Sequence, residues 1–191
     1  MNNIDYVVTQ DNIRTVEFAD IPILGLMPAI KNLGKNLVGC QIGVRQGYSM
    51  RYLFDHIPDI RLIYGIDTWL PYTDWSGQVT KEIAYQWKKD TYQILAQFKD
   101  RIKIAQMTSE KASRYIVPGT LDFIFIDGDH TYENVCRDLK LFYPKMKKGA
   151  VFGGYGYSLK SIRMAIDNFR EEHNIVNTIY NVENNAWYWY R

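Results

Sequence analysis

LDFIFIDGDHTY (residues 121–132) opens with six residues of which five are apolar or aromatic, then sets Asp127, Asp129 and His130 within four positions. A strand that is apolar at nearly every position is buried on both faces, as in a parallel sheet covered by helices. Four other runs read the same way: LVGCQIG (37–43), RLIYGID (61–67), RIKIAQ (101–106) and AVFGG (150–154). Between them lie segments of helical period. Ile83, Trp87, Ile94, Leu95 and Phe98 fall on one helical face, Val135, Leu139 and Phe142 on another, and Ile162, Ala165, Ile166 and Phe169 on a third. IPILGLMPAIKNL (21–33) reads as a short helix or helical turn. Alternating strands and helices predict an α/β fold. The end differs: NIVNTIYNV (174–182) and AWYWY (186–190) flank Glu183-Asn184-Asn185, a predicted hairpin turn. The expected fold is thus a three-layer Rossmann-like sandwich, its sheet of about seven strands mostly parallel with a C-terminal antiparallel hairpin.

The totals bound the function. A chain of 191 residues suits one domain, with 1–36 as an N-terminal arm and helix and 37–191 as the core. A net charge of +2 and no block of like charges give no footprint for nucleic acid or an anionic membrane. No apolar run reaches the roughly 20 residues of a membrane span, and MNNIDYVVTQDNIRT lacks the basic start and apolar core of a signal peptide. Cys40 and Cys136 each sit in an apolar element and read as reduced thiols, which suits a cytoplasmic setting.

In open sheets, ligands bind at the carboxyl ends of the strands, near the point where strand order reverses. The first such end carries IGVRQGYS (42–49). Gly43 and Gly47 permit a tight turn, and Ser49 is a candidate cap for the helix that follows. The loop lacks both the GxGxxG of a dinucleotide site and the GK[ST] of a nucleotide-phosphate loop, so a small group such as a carboxylate suits it better than a pyrophosphate. The second strand ends at Asp67, 20 residues after Gly47, where a carboxylate can accept the hydroxyls of a ribose. Together these features indicate a nucleoside-bearing cofactor, with Thr68 and Trp69 beside it. After the third strand, Thr108 or Ser109 can cap a helix or edge an adenine.

The glycine loop, the acid after the second strand and FIDGDHTY resemble the class I S-adenosylmethionine-dependent methyltransferases, more narrowly the macrocin and mycinamicin O-methyltransferases and the cephalosporin-hydroxylase-like group. The resemblance covers roughly residues 37–172 and is most specific over DGDHTYENVCRDLKLFYPKMKKGAVFGGYGY (127–157). It implies S-adenosylmethionine as cofactor. Gln41, Gly43, Val44, Gly47 and Ser49 would hold its methionine part, Asp67 with Thr68 and Trp69 its ribose, and Thr108 and Ser109 its adenine. Asp127 and Gly128 would border the sulfonium, and His130 would be the general base. The acceptor would be a hydroxyl of a small molecule such as a sugar or secondary metabolite. Homo-oligomers are compatible with this reading, through exposed aromatics of residues 70–87 that serve either as a lid or as a subunit contact.

Two positions depart from the pattern. Gln41 stands where the family often has an acid, and Gly156 stands where it commonly has an Asp that completes a magnesium site. Asp127 with Asp129 alone is a thin set for a hard cation, so a tight Mg²⁺ site is not expected. The same departures admit an alternative, a catalytically degenerate domain that binds S-adenosylmethionine in a regulatory or structural role.

Overall fold

The side chains of β6 (Leu121–Ile126) point alternately into two separate cores, which is why nearly every residue of the strand is apolar. Phe123 and Phe125 face one layer of helices, and Ile124 and Ile126 face the other. The computed structural model describes residues 21–74 and 77–191. The predicted strands form β1 (Leu37–Ile42), β2 (Ile60–Asp67), β5 (Ile102–Gln106), β6 and β7 (Met146–Tyr155), and the hairpin forms β8 (Tyr180–Val182) and β9 (Ala186–Tyr190). They make one seven-stranded sheet in the order β5-β2-β1-β6-β7-β9-β8, parallel except that β9 runs antiparallel to both its neighbours. This is the sandwich expected from the sequence.

On one face lie a 3₁₀ turn (Pro22–Leu26), α1 (Met27–Lys31), α2 (Tyr48–His56) and α3 (Lys81–Ile94). On the other lie α4 (Ser109–Ser113), α5 (Tyr132–Phe142) and α6 (Lys160–Glu172). The predicted faces of α5 and α6 are buried as read: Val135, Leu139 and Phe142, and Ile162, Ala165, Ile166 and Phe169. Trp187 and Trp189 of β9 are fully buried against this second layer. Each removes 150–250 Å² from water, about 4–6 kcal/mol as an upper bound by area.

The structure corrects the sequence reading in four places. The α-helix of α3 stops at Ile94, and Phe98 belongs to a following 3₁₀ segment. Its buried face is Ala84, Thr91 and Ile94, whereas Ile83 is 39% exposed. β7 starts at Met146, four residues early, and β8 keeps only three of its nine predicted residues. Residues 72–79 form a small separate hairpin of β3 (Tyr72–Asp74) and β4 (Gly77–Val79). The N-terminal arm up to residue 20 lies outside the described residues.

The chain lays down β1, β2 and β5 outward in one direction, then returns to place β6 on the other side of β1. Strand order therefore reverses between β1 and β6, and the crevice at their carboxyl ends is the expected ligand site.

Candidate active site

Three loops are sewn together at that edge. Ile42 pairs with Ile126, and the ladder runs one step further on each side: Gly43 N donates to Ile66 O (2.9 Å) and Asp127 N donates to Ile42 O (2.8 Å). Gly43 has φ +82°, and a Cβ there would lie 1.9 Å from the Asp127 carbonyl oxygen, so no other residue fits. The glycine loop is thus pressed directly on the DGDH turn.

Asp67 ends β2 and is aimed at the same loop. Its Oδ2 accepts from Val44 N and Arg45 N (2.9 Å each), and its Oδ1 accepts from Trp69 N (2.7 Å). A carboxylate has about four acceptor positions, so one remains for a ribose hydroxyl while three fix the loop. Trp69 is buried, with φ +46°, and its indole N–H donates to Arg45 O (2.8 Å). Its indole pins the loop. Thr91 of α3 donates to the same carbonyl (2.9 Å), and the Arg45 guanidinium lies over the Trp87 ring at 4.5 Å. Arg45 itself has φ +54°, an uncommon state held by these ties. Thr68 accepts from Leu70 N (3.3 Å).

Asp127 differs. Its side chain is 20% exposed, and burial pushes its pKa up, against the opposing pulls of His130 and Arg45. His130 Nε2 stands 3.5 Å from Asp127 Oδ1 and has no hydrogen-bond partner, an ion-pair distance just short of a formed bond. Ser161 Oγ donates to the His130 carbonyl (2.8 Å), and the Tyr155 ring lies 6.1 Å from the imidazole. His130 is not the cap of α5. That place belongs to Thr131, and Asp129 closes the turn by accepting from Thr131 N and Asn134 Nδ2 (2.8 Å each). His56 and His173 bond carbonyls within their own helices.

Gln41 is 2% exposed. Its Nε2 donates to Gly43 O (2.9 Å), and its Oε1 is buried without a partner. Val44 is buried, and Gly128 packs beside Ile42. Ser49 does not cap α2: Gly47, in the left-handed region, takes the N-cap position and Ser49 is buried inside the first turn. Thr108 caps α4 through Lys111 N (3.3 Å). Ser109 instead donates to Asp138 Oδ1 (2.5 Å). An apolar hollow of about 310 Å³ lies beside this turn on the α4 face, lined by Ile66, Gln106 and Met107 and running out to Tyr64 and Tyr115.

Asp138, Arg45 and Thr91 were not among the residues read as functional from sequence. Asp138 had a signal: it falls three residues after Val135 and four before Phe142, on the buried face of α5.

The donor set suits a cationic, ribose-bearing cofactor. Two carboxylates, an unpartnered amide oxygen and a loop bent through Gly43, Arg45 and Gly47 meet at one edge. It does not suit magnesium. Asp129 is committed to the helix turn, and position 156 is a glycine (φ +87°) that supplies no carboxylate. Among the described residues no three His, Cys, Asp or Glu side chains gather as a metal site.

No curated protein sequence matches the chain. Solved structures share its fold. The O-methyltransferase NovP is 19% identical with a TM-score of 0.62, over 86% of this chain and 78% of that one. CalS11, a TDP-rhamnose 3'-O-methyltransferase of calicheamicin biosynthesis, is 17% identical with a TM-score of 0.61, over 86% and 76%. An O-methyltransferase from Bacillus cereus in complex with SAH is 14% identical with a TM-score of 0.61, over 92% and 82%. Residues 40–154 match the family described as methyltransferase domain, a span from β1 through β7 that holds the glycine loop, Asp67 and the Asp127–His130 pair. The chain belongs to the methyltransferase-domain family and is an S-adenosylmethionine-dependent enzyme of the class I fold.

Proposed function

We propose that the enzyme methylates a hydroxyl of a small molecule, a sugar or other secondary metabolite, with His130 as general base. The observation that carries this reading is the Asp127–His130 pair at the strand-order reversal. The cofactor, when bound, supplies an electrophilic methyl group on a sulfonium. Gln41 Oε1 and the glycine loop would hold its methionine end, and Asp67 its ribose. Asp127, whose carboxylate holds no amide, would stand near the positive charge. With Nε2–H turned to Asp127, His130 offers Nδ1 to the acceptor hydroxyl. When the acceptor hydroxyl reacts, its proton would pass to Nδ1, and the Asp127 carboxylate would stabilise the imidazolium. Tyr155 shapes the acceptor side, and the β3–β4 hairpin, which carries exposed Tyr72, follows β2 at the same edge.

A sugar acceptor draws support from CalS11, whose own acceptor is TDP-rhamnose. Two free thiols suit a cytoplasmic setting, and no helix among the described residues is long and apolar enough to cross a membrane. Calorimetry with S-adenosylmethionine and S-adenosylhomocysteine is expected to give micromolar binding, on the order of 10⁻⁶ M. Mass spectrometry of nucleotide-sugar and phenol panels then reads turnover. Binding of neither compound sinks the site assignment. Turnover that survives in His130→Ala sinks the base.

A further inference from the structure

Asp138 is 4% exposed on the buried face of α5, among Val135, Leu139 and Phe142. A carboxylate in that position needs a partner, and it has Ser109 Oγ, the first residue of α4. Among the described residues, this is the side-chain hydrogen bond that ties α4 to α5; the other side-chain bonds of α4 close within its own turn. α4 has five residues and little packing of its own, with only Ala112 and Ser113 buried. The position of the turn leaving β5 therefore depends on Asp138. Met107, which opens that turn, lines the apolar hollow with Ile66 and Ala112, and Gln106 before it pairs with the ribose acid Asp67 at the end of the neighbouring strand.

We propose that Asp138 is a positioning residue for the purine end of the cofactor, fixing Ser109 and with it the Met107–Ser109 turn against the base. This rests on the cofactor reading given above. Burial pushes the carboxyl up to about 6, with the Ser109 hydroxyl and Arg137 pulling down and Asp129 pushing up. From β1 the Cys40 thiol faces it, and burial raises that thiol far enough to keep it neutral. α4 contributes the Ser109 hydroxyl, and α6 adds no further charge to this set. An ionised acceptor makes the stronger, charge-assisted bond. The grip on the turn is therefore full above pH ~6 and weakens as the acid is protonated below it.

The probe is 5′-methylthioadenosine, which carries the purine and ribose without the sulfonium, ammonium or carboxylate that other site groups would read. Calorimetry on the full chain is expected to show affinity falling about fivefold from pH 8 to pH 5, the scale of a charged against a neutral hydrogen bond. In Asp138→Asn the profile flattens, and in Ser109→Ala it flattens at lower affinity, while thermal melts confirm that both fold. If Asp138→Asn fails to fold, Ser109→Ala alone decides. A flat wild-type profile, or an unchanged slope in Ser109→Ala, overturns the proposal. If neither this probe nor S-adenosylhomocysteine binds, the cofactor site itself is wrong and the proposal falls with it.

Discussion

Asp67 and Asp127 stand at the same edge of the sheet, each at the end of a buried strand, and the chain uses them in opposite ways. Asp67 takes three backbone N–H groups and becomes part of the glycine loop. Asp127 takes no N–H donor on its carboxylate among the described hydrogen bonds; it is partly buried, its pKa is pushed up, and it faces an imidazole. A carboxylate that already holds three amides builds the site, and one that holds none is left for chemistry. Position at a strand end does not separate the two roles, whereas the count of donors does.

The comparison breaks first at His130. His130→Ala is expected to lower turnover by about 10²- to 10⁴-fold while changing S-adenosylhomocysteine affinity only a few-fold. Asp127→Asn should lower turnover too. In the wild type, turnover should fall on the acid side as Asp127 is protonated at its raised pKa, because the neutral acid no longer stabilises the imidazolium. If Asp67→Asn lost turnover at saturating cofactor as severely as His130→Ala, the division of roles would be wrong.

Gly43 is the joint between the two acids. Gly43→Ala puts a methyl carbon 1.9 Å from the Asp127 carbonyl at a left-handed φ. The strain and the forced shift together should cost about 3 kcal/mol or more. A thermal melt measures it, and a shift of under about 1 kcal/mol would mean that the two loops are not pressed together. Asp67→Asn sits next in size. It keeps the shape but removes the charge that three amides share, at about 2 kcal/mol, with weaker cofactor binding measured by calorimetry. An unchanged melt would show that the loop holds without its acid.

What the sequence carried follows from which contacts are periodic. LDFIFID could be read as a two-sided buried strand because each of its faces meets a separate helix layer. The faces of α5 and α6 were legible for the same reason. β3 and β4 escaped because a ladder of three residues on each side is too short to show a period. Helical period places Ile83 on the apolar face, but the helix turns Ala84 and Thr91 inward instead, Thr91 with its hydroxyl on the Arg45 carbonyl. In the site, the spacing of Gly47 and Asp67 placed an acid beside the loop, but no spacing shows that three of its acceptor positions are taken by amides. Ser49 is not the cap because Gly47 adopts the left-handed state that starts α2 two residues earlier.

The smallest effect concerns a third acid, which unlike the other two is buried. Asp138 has a folded-state pKa of about 6, above the ~3.9 of an unfolded Asp. A raised carboxyl binds its proton more tightly in the folded chain. Its contribution to stability is thus present below pH ~4 and is lost as pH rises through about 6. At pH 8 the ionised side chain works against the fold. Asp138→Asn, which keeps the shape and cannot ionise, should therefore be more stable than the wild type at pH 8, by about 1–2 kcal/mol once the weaker Ser109 bond is counted. The advantage should vanish near pH 4. Denaturant melts at the two pH values measure the difference. Asp127 titrates in the same direction in both proteins and cancels in the comparison. A variant less stable at pH 8 than at pH 4, relative to wild type, would mean that the Ser109 bond outweighs the buried charge, and Asp138 would then resemble Asp67, an acid that builds.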